Sequence, residues 1–275
     1  MIKIQNLKFK YKEEKYIIKD INLEINKGEC IAIVGKNGSG KSTLAKLIAG
    51  IMKPTKGDIY VDEINTRDKK EYINLRRKVG IVFQNPENQI IFNNIDDELS
   101  FALKNLKLED INLRIEEALK KVKIDKSKIG ELDELSLGQK QKITIAGVLA
   151  INPDYIVFDE PTTMIDSEGK EAVYKIITTL KDKGYTIIYI TNNTEEIMLA
   201  DKIMILDDGK IVEQISKQEI IDKVDILRKY NLKIPTVVTI LEKLKKNNIN
   251  ISVENLSMES ITDKIIEVLK NEKCN

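Results

Sequence analysis

The sequence predicts an α/β fold, a parallel sheet covered on both faces and built around a phosphate-binding loop. Two observations carry that prediction. Residues Gly35-Lys36-Asn37-Gly38-Ser39-Gly40-Lys41-Ser42 satisfy G-x-x-x-x-G-K-[ST] at every defined position. Short continuous apolar runs at 155–158, 186–190 and 202–206 then recur with helical stretches between them. That is the pattern of strands buried on both faces.

Taken in order, residues 2–11 and 20–25 alternate apolar and polar side chains as strands do. Lys27-Gly28-Glu29 turns the chain into the apolar run 30–34, which leads into the phosphate loop. Thr43 opens a helix over 43–49, completing the strand–loop–helix context that the motif requires. Pro54-Thr55-Lys56-Gly57 breaks the chain before a strand at 59–61. Another short buried strand spans 79–83. From 85 to 151 the period becomes helical, with Ile95, Leu99, Leu103 and Leu106 on one face and Ile115, Ala118, Leu119 and Val122 on another. Residues 171–181 form a helix between two of the later strands. Ser216-Lys217-Gln218-Glu219 is a capping box. Beyond it, Pro235 suits a first helical turn ahead of 237–245, residues 249–253 suit a strand, and 260–269 suit an amphipathic helix. The chain thus divides into a large domain, 1–215, with a helical insert at about 85–151, and a small C-terminal domain, 216–275, expected to serve in dimerisation.

Composition narrows the function. The 275 residues are 42% hydrophobic and 32% charged, and 45 Lys+Arg against 44 Asp+Glu leave a net charge of +1. No global field argues for nucleic acid or an anionic membrane surface. Cys30 and Cys274 stand too far apart for a metal or redox spacing, so a reduced, cytosolic compartment is expected. The first residues read as a strand rather than a signal peptide, and no apolar stretch approaches the ~18–20 residues that span a bilayer. Histidine is absent from the chain.

The glycines let backbone N–H groups turn inward as an anion-binding nest, to which the helix N-terminus adds its partial positive charge. Lys41 reaches the β- and γ-phosphates of a nucleotide, and the Ser42 hydroxyl is placed to ligate Mg²⁺. Tyr155-Ile156-Val157-Phe158-Asp159-Glu160 is an apolar strand ending in two carboxylates. Asp159 suits the metal, usually through water, and Glu160 suits polarisation of the water that attacks the γ-phosphorus. Asp96-Asp97-Glu98 is read instead as first-turn acids complementing a helix dipole.

Leu135-Ser136-Leu137-Gly138-Gln139 follows the helical insert and closely resembles the LSGGQ signature of ATP-binding cassette (ABC) ATPases. The resemblance covers residues 1 to about 215 and implies a RecA-like ABC nucleotide-binding domain with ATP and Mg²⁺ at its site. Carried over by motif, the nucleotide contacts are Gly35, Asn37, Gly38, Ser39, Gly40, Lys41, Ser42 and Thr43 from the loop. Ser136 would reach the γ-phosphate held by a second protomer, Ser136 and Gly138 being the phosphate contacts, and the nucleotide-binding set also takes in Gln139 and Asp166, which matches the D-loop aspartate. Gln84 matches the Q-loop glutamine, whose carbonyl would join Ser42 and Asp159 at Mg²⁺. Tyr11 stands where the family stacks an aromatic on adenine, though an ordinary strand aromatic fits equally well.

Gln84-Asn85-Pro86-Glu87-Asn88-Gln89, Ile145-Ala146-Gly147-Val148-Leu149-Ala150 and Leu232-Lys233-Ile234-Pro235 resemble segments of the ATPases of energy-coupling factor (ECF) and cobalt-type importers. The implied assembly holds two ATPase subunits, often different chains, at the cytoplasmic face of the cell membrane. They sit beneath a transmembrane scaffold and a substrate-binding membrane subunit, and import vitamins or transition-metal ions. Two positions depart from the family pattern. Leu137 replaces a glycine, and Asn192, in Thr191-Asn192-Asn193, replaces the switch histidine. Asn192 is assigned to the catalytic set with Glu160 and Gln84, and slow turnover at this chain's own site is expected. That favours a heterodimer over a homodimer. Three alternatives stay open: a subunit of another ABC transporter, a weakly catalytic nucleotide-sensing subunit, or a non-transport ABC protein.

Overall fold

The computed structural model describes residues 1–12, 15–247 and 258–272. The chain runs β1 (Ile2–Phe9), β2 (Ile18–Ile25), β3 (Cys30–Val34), α1 (Lys41–Ile48), β4 (Lys56–Val61), β5 (Ile64–Asn65), α2 (Tyr72–Lys78) and β6 (Val79–Val82). It continues through α3 (Ile95–Asn105), α4 (Ile111–Lys121), α5 (Leu137–Ile151), β7 (Tyr155–Asp159), α6 (Ser167–Asp182) and β8 (Thr186–Ile190). Then follow β9 (Lys202–Asp207), β10 (Lys210–Ser216), α7 (Val224–Lys229), α8 (Thr236–Lys246) and α9 (Met258–Glu272).

Two sheets result. The larger has the order β10-β9-β3-β8-β7-β6, parallel throughout except for the β10 edge, which pairs antiparallel with β9. The smaller is antiparallel, in the order β2-β1-β4-β5.

Strand pleating sorts the core into two layers. Ile31, Ile33, Tyr155, Val157, Ile188, Ile190, Met204 and Leu206 point to one face, where they meet α1 and the antiparallel sheet. Cys30, Ala32, Val34, Ile156, Phe158, Ile187, Tyr189, Ile203 and Ile205 point to the other, beneath α3 to α6. Every residue of β3, β6, β7 and β8 is buried, as the continuous apolar runs require.

The helical stretch from 85 to 151 becomes α3, α4 and α5, with one short 3₁₀ turn ahead of α3 and two between α4 and α5. Asp96, Asp97 and Glu98 occupy the first turn of α3, where Asn94 caps the Asp96 and Asp97 N–H groups. The Ser216–Glu219 capping box forms, but it opens only a 3₁₀ turn over Lys217–Glu219. Pro235 takes the N-cap position of α8, one residue ahead of the first helical turn.

Beyond Ser216 the chain stays on the same core. Ile220, Val224, Leu227, Val237, Val238, Leu241 and Ile261 are buried in the layer that holds α3 to α6. Thr236 also donates from both its N–H and Oγ1 to Glu195 (2.8 and 2.7 Å), tying α8 to the segment after β8. The strand expected at 249–253 and Cys274 lie outside the described residues. Among those described, no helix is long and apolar enough to cross a membrane.

Close packing of α5 on β6 is tight enough to test. A Cβ placed on Gly80 would lie 2.3 Å from Val148 Cγ1. Gly80→Ala therefore overpacks the joint and is expected to cost about 1–3 kcal/mol in urea unfolding. Combined with Val148→Ala, it should cost less than the sum of the single changes. An unchanged unfolding midpoint in Gly80→Ala would contradict this packing.

Candidate functional site

The phosphate loop leaves the C-terminal end of β3 and enters α1. Gly35 lies under backbone: a Cβ there would sit 2.0 Å from the Leu206 carbonyl oxygen. Gly38 holds φ +81°, a left-handed turn that glycine adopts without steric cost. Lys41 is only 5% exposed, and its Nζ donates to the carbonyls of Gly35 (2.9 Å) and Lys36 (3.1 Å). The ammonium is thus held across the mouth of its own loop. Burial pulls its pKa below the usual lysine value, against the pull of Glu160 and Asp159. Ser39 Oγ is buried and finds no hydrogen-bond partner among the described residues. A loop with inward-turned glycines, a poised lysine and an unsatisfied buried hydroxyl is built to receive an external acceptor, as a phosphate is.

The carboxylates arrive from β7. Ser42 Oγ donates to Asp159 Oδ1 at 2.8 Å, joining the loop to the strand end. Asp159 is 4% exposed, and burial pushes its carboxyl upward despite the Ser42 bond. Glu160 follows with φ +50°, a left-handed conformation that costs a non-glycine residue about 1–3 kcal/mol. Its N–H donates to the Ile190 carbonyl of β8, which fixes the turn (2.9 Å). Burial raises the Glu160 carboxyl as well, and Lys41, 4.0 Å away, only partly offsets it.

Glu160 gathers the remaining residues. Asn192 Nδ2 donates to Glu160 Oε1 (2.6 Å) and to Asn37 Oδ1 of the phosphate loop (2.7 Å). A carboxylate offers only acceptors, so the amide nitrogen, not the oxygen, must face Glu160. Gln84, from the segment after β6, donates from Nε2 to Glu160 Oε2 (3.3 Å), and Thr163 Oγ1 lies at the same distance from that atom. The metal role expected of Gln84 would use its carbonyl; the bond formed here uses its amide nitrogen.

Tyr11 is 36% exposed, packs edge-on against Phe9 with ring centroids 4.9 Å apart, and lies 3.5 Å from Thr43 Oγ1. An accessible ring therefore stands beside the first turn of α1. Ser39 and Gly40 are buried within the loop, whereas Asn37 and Gly38 are exposed at its tip.

The signature segment forms a separate surface. Among the described residues, no hydrogen bond or ion pair joins it to the phosphate loop. Ser136 N-caps α5 in a reciprocal capping box with Gln139: Ser136 Oγ accepts the Gln139 N–H (3.3 Å), and Gln139 Oε1 accepts the Ser136 N–H (3.0 Å). Gly138, in the first turn of α5, is buried against the start of α6, where its added Cβ would lie 3.2 Å from Gly169 Cα. Asp166 N-caps α6 through the Gly169 N–H (2.8 Å). Leu137 is half-buried against the helical core layer.

Sequence reading missed Glu196. It is 4% exposed and receives Thr162, Tyr174, Thr191 and Asn193 side chains. An acidic residue two places beyond an Asn-Thr pair gives no local sign of burial.

A family model described as ABC transporter matches residues 18–163. The energy-coupling factor transporter ATP-binding protein EcfA1 of Caldanaerobacter subterraneus subsp. tengcongensis is 40% identical over 270 residues, covering 96% of this chain and 98% of that protein. Among solved structures, cbiO1 of Clostridium perfringens, described as part of the ABC transporter complex cbiONQ, is 33% identical with a TM-score of 0.73. That match covers 88% of this chain and 98% of the other. The ATP-binding cassette MJ0796, solved as a dimer in a post-hydrolysis state bound to ADP and Pi, is 31% identical with a TM-score of 0.70. It covers 79% of this chain and 99% of its own. The phosphate loop, the paired carboxylates at the end of β7 and the capped signature helix stand together in a cassette fold with these relatives, and the chain belongs to the ABC transporter family, among the energy-coupling factor transporter ATP-binding proteins.

Proposed function

We propose that this chain binds and hydrolyses ATP at the site around Lys41, Asp159 and Glu160 and so powers an ECF-type importer. The observation that carries the reading is the convergence on Glu160. A half-buried carboxylate stands 4.0 Å from Lys41 and accepts side-chain amides from Gln84 and Asn192. Such a carboxylate suits a water-polarising base beside a γ-phosphate. The water oxygen attacks the γ-phosphorus as its proton is drawn toward Glu160, and the bond to the β–γ bridging oxygen breaks to release ADP. Lys41 supplies charge-assisted hydrogen bonds to the β- and γ-phosphates.

The donors also fit Mg²⁺, a hard cation that takes one or two protein oxygens and completes its shell with phosphate and water. Ser42 and Asp159 would hold it, with the Gln84 carbonyl, and it would neutralise charge on the phosphates.

The substrate class extends to vitamins or transition-metal ions through the partners of such importers. A second ATPase subunit would pair head to tail. Ser136 and Gly138 would then face the nucleotide on the partner's loop. A transmembrane scaffold and a substrate-binding membrane subunit would hold the pair at the cytoplasmic face of the membrane. Residues 216–275, outside every nucleotide motif, are assigned to subunit pairing rather than catalysis.

Glu160→Gln tests the core of this reading. The amide is isosteric but a poor base, so hydrolysis should fall by about 10²-fold or more while Mg-ATP binding persists. Size-exclusion chromatography with Mg-ATP should then show a stable dimer. Wild-type turnover in Glu160→Gln would refute the role.

Asymmetry gives a second test. A homodimer would carry Asn192 at both sites, and no histidine exists in the chain to replace it. An amide donates a hydrogen bond but takes up no proton. Turnover with a histidine-bearing ABC partner should exceed turnover of this chain alone on its scaffold, and Asn192→His should raise the latter. Full transport-coupled activity from this chain alone would overturn the heterodimer.

A further inference from the structure

Glu196 lies in the 3₁₀ segment Thr194–Leu199 that follows β8, and it is 4% exposed. Its carboxyl group is the meeting point of three parts of the chain. Thr162 Oγ1, two residues after Glu160, donates to Oε1 at 2.7 Å. Tyr174 of α6 donates its hydroxyl to the same oxygen at 2.6 Å. Thr191 Oγ1 donates to Oε2 at 2.5 Å, and Asn193 Nδ2 reaches Oε1 at 3.3 Å. Thr162 and Thr191 are each 2% exposed, so neither hydroxyl has water as an alternative partner. Thr191 Oγ1 in turn accepts the Asn193 N–H at 2.9 Å, which locks the corner on which Asn192 is carried.

These bonds close a ring. From Glu196 one arm runs through Thr162 and Pro161 to Glu160. The other runs through Thr191 to Asn192. The arms rejoin where Asn192 Nδ2 meets Glu160 Oε1. Burial, and then the bond to Glu196, holds the Tyr174 hydroxyl above its ordinary pKa, so it remains a donor. Among the described residues, Glu196 takes part in no ion pair. An apolar side chain of similar size would pack here without the desolvation a carboxyl group suffers. What it would not do is hold four donors from two site segments and one helix in fixed directions.

We propose that Glu196 is a positioning residue for ATP hydrolysis, pinning the corner at 191–193 to the turn at 161–162 so that the Asn192 amide stays on Glu160. The assignment rests on the catalytic reading of Glu160 given above. Asparagine makes the demand stricter, since its short side chain has little reach with which to recover a misplaced backbone.

Steady-state ATPase assays of the full chain, normalised to ATP-binding sites, test this with Glu196→Ala, Glu196→Gln, Thr162→Val, Asn192→Ala and Glu160→Gln. Glu196→Ala should lower kcat by about 10- to 10²-fold, the scale of an ångström-level misplacement. KM for ATP should hold within about twofold, since Lys41 and Ser42 keep their own partners and only the Asn37 contact of the loop is lost. Glu196→Gln should recover most of the loss, because it keeps one acceptor and its amide donates to Thr191 Oγ1. Thr162→Val, the milder cut of the same arm, should lower kcat in the same direction. In an Asn192→Ala background, Glu196→Ala should have little further effect, as the residue it positions is gone. A crystal structure of Glu196→Ala or Thr162→Val should show Asn192 Nδ2 out of hydrogen-bond reach of Glu160. The proposal is overturned by unchanged kcat in Glu196→Ala, by an equal loss in both backgrounds, or by an unmoved Asn192. If Glu160→Gln and Asn192→Ala themselves leave the rate unchanged, the catalytic reading fails instead.

Discussion

The position of β8 between β3 and β7 is the constraint on which the site depends. Ile190, the last residue of β8, is paired with Ile33 of β3 and with Asp159 of β7. Three parallel strands therefore end at one level. What each emits next, the phosphate loop, Glu160 and the Thr191-Asn192 corner, emerges along one edge of the sheet. In open α/β sheets the crevice beyond the carboxyl ends of the strands is where ligands bind. Here the register goes further and brings side chains 155 positions apart, Asn37 and Asn192, into a 2.7 Å hydrogen bond. A slip of one residue in β8 would invert its faces and remove both contacts of Asn192.

That edge concentrates opposing charges, with Lys41 and Asp159 buried. Burial lowers Lys41 and raises Asp159 and Glu160, so each group resists its charged form. A bound triphosphate with its metal would reverse part of this, since anionic oxygens stabilise the lysine and a cation stabilises the carboxylates. The site is therefore more comfortable electrostatically when filled. Asn192 fits the same logic. It orients Glu160 by donating a hydrogen bond while adding no net charge beside Lys41.

Short-range patterns made much of this legible from sequence. The phosphate loop is contiguous, and its turn and anion geometry are local properties of eight residues. The strands of the central sheet announced themselves because burial on both faces demands unbroken apolar runs. The Ser136 and Ser216 capping boxes are four-residue devices, and both form. Less visible were β5 and β10, where intermediate burial weakens any period, and α2, with only Leu75 buried. The ring around Glu196 was invisible for another reason. Its members lie at 162, 174, 191 and 193, and only the β7–β8 pairing and the packing of α6 bring them together. The bond from Gln84 to Glu160 likewise spans 76 positions.

The two departures from the family pattern are physically unequal. Leu137 stands at the first position of α5, and its side chain packs back onto the helical core layer. The exposed face of the signature is formed by Ser136 and its capping partner Gln139, while Gly138 is held close by Gly169. A side chain that turns inward at 137 leaves that face as it was, and its burial contributes apolar contact that a glycine would not. Asn192 is the reverse. It is exposed, points into the site and touches both Asn37 and Glu160. A change at that position alters which hydrogen-bond donor meets Glu160. The Leu137 departure is thus absorbed by packing, whereas the Asn192 departure falls among the residues of the proposed site, even though both break the sequence pattern by a single residue.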